Sequence, residues 1–323
     1  MPPILALLLL FFGVFVYTAL LTKRLIPILR AKKMGQSILE IGPVWHKSKE
    51  GTPTMGGIVF LSSIFLFALL GCFLIDRHMT VPLFLSLLYA LLNGVCGIID
   101  DAQKLRKNKN QGLLPWQKLL MQGAFAFFFI WLWEKYVKST LPLFLPFTSL
   151  FLDIGFAGYF VLLLLLMGMV NFTNLSDGID GLCSTVSFVI GVFFTAEGFL
   201  LKNTALLVLG VSLVGAMLAF LLFNHHPARI FMGDTGSLFL GGITVAGAFL
   251  LGKPLTVLIF GFPYVLEGIS VILQVLVYKR TKRRLFLMAP LHHHLEKRGW
   301  SENKIVYVFM LTTLVFCFIA HFA

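Results

Sequence analysis

The amino-acid sequence predicts an all-α integral membrane protein with about ten transmembrane helices. Of its 323 residues, 58% are hydrophobic and 12% are charged, whereas about 25% are charged in a typical soluble domain. Long apolar runs recur along the whole chain, and the mean hydropathy is +0.91. A soluble core could not hide so much apolar surface, so these runs are expected to cross a bilayer.

Ten segments are long enough to cross a bilayer core of about 30 Å, which needs about 20 apolar residues in a helix. The first lacks the basic start and the cleavage site of a signal peptide, so we expect a retained helix. The fourth and fifth are short or locally polar. Between them, residues 139–153 contain Pro142 and Pro146 and are predicted to form a hairpin or an interfacial segment. The predicted spans are 3–22, 55–75, 81–99, 115–133, 154–172, 182–201, 204–223, 235–252, 254–278 and 305–322.

The basic residues predict the orientation of these spans. Twenty-one of the 26 Lys and Arg residues fall in one set of alternating connections, and five fall in the other. Because positively charged loops stay in the cytoplasm, the richer set is predicted to be cytoplasmic and both termini to lie on the outer side. This sorting also explains the net charge of +12 without nucleic acid. We expect one polytopic domain over 1–323, with its active site on the cytoplasmic face.

Two adjacent aspartates, Asp100 and Asp101, end the third predicted span. One interpretation is that they are interfacial carboxylates paired with Lys104 and Arg106. Adjacent residues of a helix point about 100° apart, so the two aspartates cannot share one role by default. The small and polar face that includes Asn93 predicts that Asp100 points into the bundle. Asp101 is then expected to point sideways, toward a loop or the lipid head-groups.

Two further polar stretches lie at the same predicted level. In NFTNLSDGIDG, Asn171, Asn174, Asp177 and Asp180 follow at steps of three, which keeps polar groups on one broad helix face. This pattern indicates a cation or a hydroxyl-rich ligand, although an ordinary polar loop is the alternative. Asp234, in FMGDTGS, begins the eighth span, where it is either a helix N-cap or a ligand of a phosphate-bound metal.

The last cytoplasmic loop combines basic residues with three consecutive histidines, 292–294. Consecutive histidines cannot all bind one ion from a helix or a strand, so hydrogen bonding to phosphate is favoured over a zinc site or a plain polybasic patch. Glu267 and Gln274 share one face of the ninth span. A carboxylate within a span is a functional candidate, with a structural bundle contact as the alternative.

Several aspartates at one level, with many Lys, Arg and His residues, indicate Mg²⁺-dependent phosphoryl transfer at the inner membrane surface. The four cysteines, Cys72, Cys96, Cys183 and Cys317, show no metal spacing and are expected to be small core residues.

Five motifs resemble the phospho-N-acetylmuramoyl-pentapeptide transferase family, within the superfamily of polyprenyl-phosphate N-acetylhexosamine-1-phosphate transferases. They are KEGTPTMGG (49–57), GIIDDAQK (97–104), NLSDGIDGL (174–182), FMGDTGS (231–237) and PLHHHLE (290–296). The resemblance spans nearly the whole chain. It implies a ten-helix enzyme of the bacterial cytoplasmic membrane, usually a homodimer. Such an enzyme moves phospho-MurNAc-pentapeptide from UDP-MurNAc-pentapeptide to undecaprenyl phosphate with Mg²⁺, forming lipid I and UMP.

The family pattern implies a metal site at Asp234 and catalytic roles for Asp100, Asp101 and Asp234, together with His292, His293 and His294. The candidate substrate-binding residues are Lys49, Thr54, Asn171, Asn174, Asp177, Asp180, Asn224, Phe231, Glu267 and Gln274. The lipid phosphate already carries negative charge, so direct in-line attack is favoured over a covalent aspartyl-phosphate. Two alternatives remain open: a sister enzyme that transfers GlcNAc-1-phosphate to the same lipid, and a lipid or solute transporter.

Overall fold

The computed structural model describes residues 3–32, 49–107, 112–137, 143–148, 150–152 and 155–323, which are mostly helical. The helices are α1 (Pro3–Ala31), α2 (Gly57–Ile75), α3 (Thr80–Lys107), α4 (Pro115–Val137), α5 (Phe156–Leu175), α6 (Leu182–Leu200), α7 (Thr204–Asn224), α8 (Gly233–Leu250), α9 (Val257–Phe260), α10 (Phe262–Thr281), α11 (Leu291–Lys297) and α12 (Glu302–His321). Strands β1 (Leu143–Phe144) and β2 (Phe151–Leu152) pair antiparallel, which confirms the hairpin predicted between the fourth and fifth spans.

Within these described ranges, nine helices are long and apolar enough to cross a membrane, which confirms an all-α membrane architecture. The predicted fourth span, α4, is a helix of 23 residues but is not among the nine. Its polar side chains, such as Lys118 and Gln122, lower its mean hydropathy. The predicted ninth span is divided into α9 and α10 around Gly261. Pro263 lies in the first turn of α10, where its missing amide hydrogen costs no helical hydrogen bond.

Helix α4 packs mainly against α3 and α5, and its side chains contact both ends of α8. At one end, Lys118 Nζ lies 2.5 Å from a carboxylate oxygen of Asp234. At the other end, the rings of Trp133 and Phe249 pack edge to face with centroids 5.6 Å apart. Each pair of contacts is separated by 15 residues on its helix, or about 22 Å of helix axis. The less apolar α4 therefore covers the same depth of the bundle as α8.

The start of α1 and the end of α12 lie at the same end of the bundle. Helix α1 is antiparallel to α2, because Thr18 contacts Ser63 through hydroxyl oxygens 2.8 Å apart and Leu10 packs near Gly71. The start of α1 thus lies by the end of α2. Lys253, which follows α8, donates a hydrogen bond to the backbone oxygen of Ala323. Both ends are consequently remote from the first turn of α8.

Helices α2, α3 and α8 meet with their backbones in direct contact at the start of α8. A side chain at Gly57 would place its Cβ 2.3 Å from Gly236 Cα, and one at Gly97 would place it 2.2 Å from the backbone oxygen of Asp234. Only glycine permits this approach. The close contact brings the end of α3 to the start of α8. Elsewhere, the four cysteines are buried with free thiols, as expected of core residues.

Candidate active site

Asp101 binds the first turn of α8. Its carboxylate accepts hydrogen bonds from the backbone N–H groups of Asp234 (3.2 Å) and Thr235 (2.9 Å) and from the Thr235 hydroxyl (2.7 Å). The amides at a helix start lack helical partners and carry partial positive charge, so a carboxylate is favoured there. The expectation that Asp101 points toward a loop or the head-groups was wrong. Gly97 lets α8 approach so closely that Asp101 is buried as well.

Asp100 is buried beside two lysines. Lys104 Nζ lies 2.7 Å from one carboxylate oxygen, and Lys118 Nζ lies 3.1 Å from the other. The backbone N–H of Leu113 donates to the same oxygen as Lys118, at 2.7 Å. The inward orientation expected for Asp100 is thus confirmed, and its charge is balanced by ammonium groups from two helices.

Asp234 links four elements of the bundle. One of its carboxylate oxygens contacts Lys104 Nζ at 3.1 Å and Lys118 Nζ at 2.5 Å. The other accepts a hydrogen bond of 3.0 Å from the side-chain amide of Asn174, which also donates to Ser237 at 2.8 Å. Lys118 was not among the site residues predicted from the sequence. It is one of several lysines in a basic connection, and nothing in the sequence distinguishes it from the others.

Asp100, Asp101 and Asp234 form what we call the acid cluster. One carboxylate oxygen from each lies within 4.8 Å of the others. Carboxylate oxygens are hard ligands, and a few of them combined with substrate phosphate oxygens suit Mg²⁺. The donor set therefore fits a divalent cation, with Lys104 and Lys118 able to exchange their contacts for phosphate oxygens.

A second set of charged residues, which we call the Lys49 group, contains Lys49, Asp180, His226 and Glu302. Lys49 Nζ lies 2.7 Å from carboxylate oxygens of both Asp180 and Glu302. Asp180 also accepts from Ala228 N–H at 2.9 Å and lies 3.0 Å from His226 Nδ1. Burial alone would raise the pKa of Asp180, but these bonds, those from Lys49 above all, hold it below its usual value.

Asp177 lies in the turn between α5 and α6, three residues before Asp180. Its pKa is well above the usual value for an aspartate, because burial and the negative charges of Asp234, Asp101 and Asp180 disfavour ionisation. The turn thus carries two different aspartates. The acid cluster disfavours the ionised form of Asp177, and Lys49 stabilises the ionised form of Asp180.

Segment 53–57 is bonded to the segment preceding α8. Phe231 N–H donates to Pro53 O at 2.8 Å, and Gly56 N–H donates to Phe231 O at 2.9 Å. Thr54 lies beside Gly233, where an added Cβ would be 2.9 Å from the Thr54 hydroxyl oxygen. The motifs KEGTPTMGG and FMGDTGS therefore form one surface next to the acid cluster.

Two predicted substrate-binding residues have both side-chain polar atoms engaged within the protein. Asn224 is buried, accepts from the Ser184 hydroxyl at 2.7 Å and donates to Ile230 O at 3.0 Å. Gln274 bonds to the backbone of residues 285 and 286. Asn171, on α5, donates to Gln122 of α4 at 2.7 Å. Direct substrate contacts by these residues stay predictions.

The three histidines have different neighbours. His292 is fully buried and lies 3.2 Å from Glu267 through its ring Nδ1. His293 Nδ1 lies 2.6 Å from Glu296, and His294 Nδ1 accepts from Leu287 N–H at 3.1 Å. Burial and the charge of Arg298 lower the pKa of His294. The divergent orientations agree with the expectation that the run does not bind one ion.

Comparison with known proteins places these motifs in a family context. Residues 83–252 match the model described as glycosyl transferase family 4, and residues 49–61 match phospho-N-acetylmuramoyl-pentapeptide-transferase signature 1. The chain is 40% identical over 306 residues to a phospho-N-acetylmuramoyl-pentapeptide-transferase of Clostridium perfringens, covering 95% of this chain and 93% of the relative. It is also 40% identical over 300 residues to the protein of the same name from Staphylococcus haemolyticus, covering 92% and 93%.

Proposed function

The chain belongs to the phospho-N-acetylmuramoyl-pentapeptide-transferase family, and on that basis we propose that it makes lipid I for peptidoglycan synthesis. It transfers phospho-MurNAc-pentapeptide from UDP-MurNAc-pentapeptide to undecaprenyl phosphate. The observation that carries the proposal is the union of the family motifs in one place. The acid cluster, two lysines and the 53–57 segment all converge on the first turn of α8.

We propose direct in-line transfer without a covalent enzyme intermediate. An oxygen of the lipid phosphate attacks the β-phosphorus, the bond from that phosphorus to the UMP oxygen breaks, and UMP leaves. Both reactants are anionic, so the main requirement is relief of charge repulsion. Lys104 and Lys118 are placed to bind phosphate oxygens, and Asn174 holds the Asp234 carboxylate in position.

Mg²⁺ is the proposed metal, held by Asp234 with Asp100 and Asp101 nearby. When bound, it would neutralise the pyrophosphate and the developing charge on the leaving UMP. The residues of the Lys49 group, Thr54 and Phe231 are assigned to the nucleotide side. Residues 285–294, which we call the histidine segment, are assigned to the phosphate and sugar side.

The proposed topology has ten spans in a single polytopic domain over 1–323, within the bacterial cytoplasmic membrane. Two features support counting α4 as a span: its contacts with α8 are about 22 Å apart along the helix axis, and the start of α1 and the end of α12 lie at one end. With nine crossings, those two ends would lie on opposite sides of the membrane. The basic loops favour a cytoplasmic acid cluster, and labelling cysteines introduced at exposed Lys202 and Arg283 from opposite membrane sides tests this orientation. A homodimer is part of the proposal and is tested by the mass of the purified complex.

The decisive experiment is an assay of purified protein with undecaprenyl phosphate and Mg²⁺. UDP-MurNAc-pentapeptide is expected to give UMP and a lipid-linked product, whereas UDP-GlcNAc gives neither. Reversed substrate preference would identify the sister transferase, and no UMP from either donor would favour a transporter. UMP release without the lipid acceptor, with a phosphorylated aspartate, would refute direct attack.

A further inference from the structure

Two polar residues of α10 face the histidine segment rather than lipid. Glu267 and Gln274 are seven residues apart, so they lie on one face of the helix. Glu267 is completely buried in a helix apolar enough to cross a membrane. A carboxylate in such a position is costly and is retained where it serves a purpose.

Gln274 binds the first part of the segment. Its amide oxygen accepts from the backbone N–H groups of Leu285 (3.1 Å) and Phe286 (2.9 Å), and its amide nitrogen donates to Phe286 O (3.2 Å). Three bonds from one side chain fix the local backbone at 285–286. Just before this point, residues 282–284 are basic and exposed.

Glu267 binds the second part. Its two carboxylate oxygens lie 3.2 and 3.4 Å from the backbone nitrogen of His292, which donates to them. The same carboxylate lies 3.2 Å from ring Nδ1. The backbone and the ring of this histidine are therefore set by one acidic side chain.

The His292 ring is directed at the aspartate turn. A Cβ at Gly178 would lie 2.1 Å from His292 Nε2, so only glycine leaves room for the ring beside Asp177. Among the described residues, neither ring nitrogen makes a hydrogen bond of good geometry. Leaving a buried polar group unsatisfied costs free energy, so fold stability alone does not account for this placement.

We propose that Glu267 and Gln274 are positioning residues that form a two-point clamp on residues 285–292. The clamp holds His292 against the turn that carries Asp177, and thereby fixes the start of the histidine run. Neither residue needs to touch substrate in this role. The proposal deepens the phosphotransferase function proposed above and rests on it for its catalytic consequence. The clamp itself is measurable without any reaction.

Limited trypsin cleavage after Lys282, Arg283 and Arg284 reports on the clamp directly. Gln274→Ala and Glu267→Ala each remove hydrogen bonds that hold the adjoining backbone. We expect cleavage in this segment to be about tenfold faster in each variant, because local opening becomes easier. Leu273→Ala is the matched control, since Leu273 neighbours Gln274 but is exposed on the lipid-facing side. Its cleavage rate should equal that of the unsubstituted protein.

Kinetics then test whether the clamp positions catalytic groups. Displacing a catalytic segment by about 1 Å can cost about 100-fold in rate. Glu267→Ala is therefore expected to lower kcat about 100-fold while KM for the nucleotide substrate changes less than threefold. Glu267→Gln retains an acceptor for the His292 N–H, so it should restore slow cleavage and part of kcat. Substrate contact predicts the opposite split, with KM raised and cleavage unchanged.

Unchanged cleavage in Glu267→Ala and Gln274→Ala would overturn the clamp, and faster cleavage with unaltered kcat would overturn its role in positioning catalytic groups. If Glu267→Ala does not fold, Gln274→Ala provides both the cleavage and the kinetic measurement, and Glu267→Gln remains the conservative comparison. A failure of the proposed function looks different. The unsubstituted protein would then release no UMP, while the cleavage difference between the variants would persist.

Discussion

The acid cluster and the Lys49 group contain similar residues but hold them differently. In the acid cluster, three carboxylates from α3 and α8 converge, and two lysines share the same Asp234 oxygen. In the Lys49 group, one lysine bridges two carboxylates, and each carboxylate also accepts a hydrogen bond from a backbone N–H group. In the first, two ammonium groups meet at one oxygen of Asp234, whereas in the second each carboxylate is bonded to both Lys49 and the backbone.

This difference indicates different tasks. Ammonium groups that share an acceptor can move to phosphate oxygens at a small loss, which suits a site where charge changes during a reaction. Carboxylates bonded to both an ammonium group and the backbone are costly to disturb and therefore fix geometry. The acid cluster is accordingly expected to control kcat, and the Lys49 group to control binding and the shape of the turn at 176–181.

The largest effect is expected for Asp234→Ala. Removing this carboxylate eliminates the proposed metal ligand and the contact that each lysine makes with it. We therefore expect kcat to fall about 1000-fold or more. UMP release measures the rate, and binding of Mn²⁺ to the purified variant should weaken in parallel. Activity within about threefold of the unsubstituted protein would remove Asp234 from the metal role.

Lys118→Met should have the next largest effect. The ammonium group lies between Asp100 and Asp234 and is placed to stabilise phosphoryl charge, so its loss should lower kcat about 100-fold with little change in KM. Lys135→Met is the matched control, because Lys135 is exposed near the other end of α4. Equal effects of the two substitutions would show that Lys118 acts only through general charge.

Lys49→Met tests whether the Lys49 group and the acid cluster have different roles. If the Lys49 group serves binding, KM for the UDP substrate should rise about tenfold, while kcat should stay within about twofold. Steady-state kinetics at saturating undecaprenyl phosphate give both parameters. A loss confined to kcat would instead assign Lys49 to the reacting groups and break the contrast with the acid cluster.

The smallest effects concern stability and pH. The pKa of Asp180 is lowered on folding, so its contribution is present above the ordinary value of about 3.9 and is lost as pH falls through the folded value. The pKa of Asp177 is raised, so its ionisation destabilises the fold increasingly as pH rises above about 3.9 toward the folded value.

Asp180→Asn should therefore lower the thermal unfolding midpoint by a few degrees at pH 8, and Asp177→Asn should raise it by about as much. The Asp177 difference should shrink as the pH falls toward 4, whereas the Asp180 difference should persist to about pH 4 and shrink only below it. The measurement is thermal unfolding in detergent with a chelator, so that divalent ions do not alter the charges. Shifts of the same sign at pH 8 would contradict the opposed environments of the two aspartates.

The sequence allowed the helical membrane architecture to be predicted, because apolar run length and loop charge are local properties. It also indicated that Asp100 faces inward, from the polar face shared with Asn93. The burial of Asp101 could not be predicted in this way. It depends on α8 lying against Gly97, which is a contact between residues more than 130 positions apart.

Two other features depend on long-range packing. Lys118 could not be distinguished from neighbouring basic residues in the sequence, because its role depends on contact with Asp234 of α8. The pairing of Glu267 with His292 joins residues 25 positions apart on separate helices, and no spacing rule relates them. By contrast, the shared face of Glu267 and Gln274 followed directly from helical periodicity.

The glycine contacts at the start of α8 have a consequence for inhibitor design. At Gly57 and Gly97, even a methyl group would collide with the opposing backbone. Both glycines are buried, so neither can be replaced by a larger residue to keep a compound out of the adjoining acid cluster. Resistance to such a compound would have to arise from substitutions at other positions.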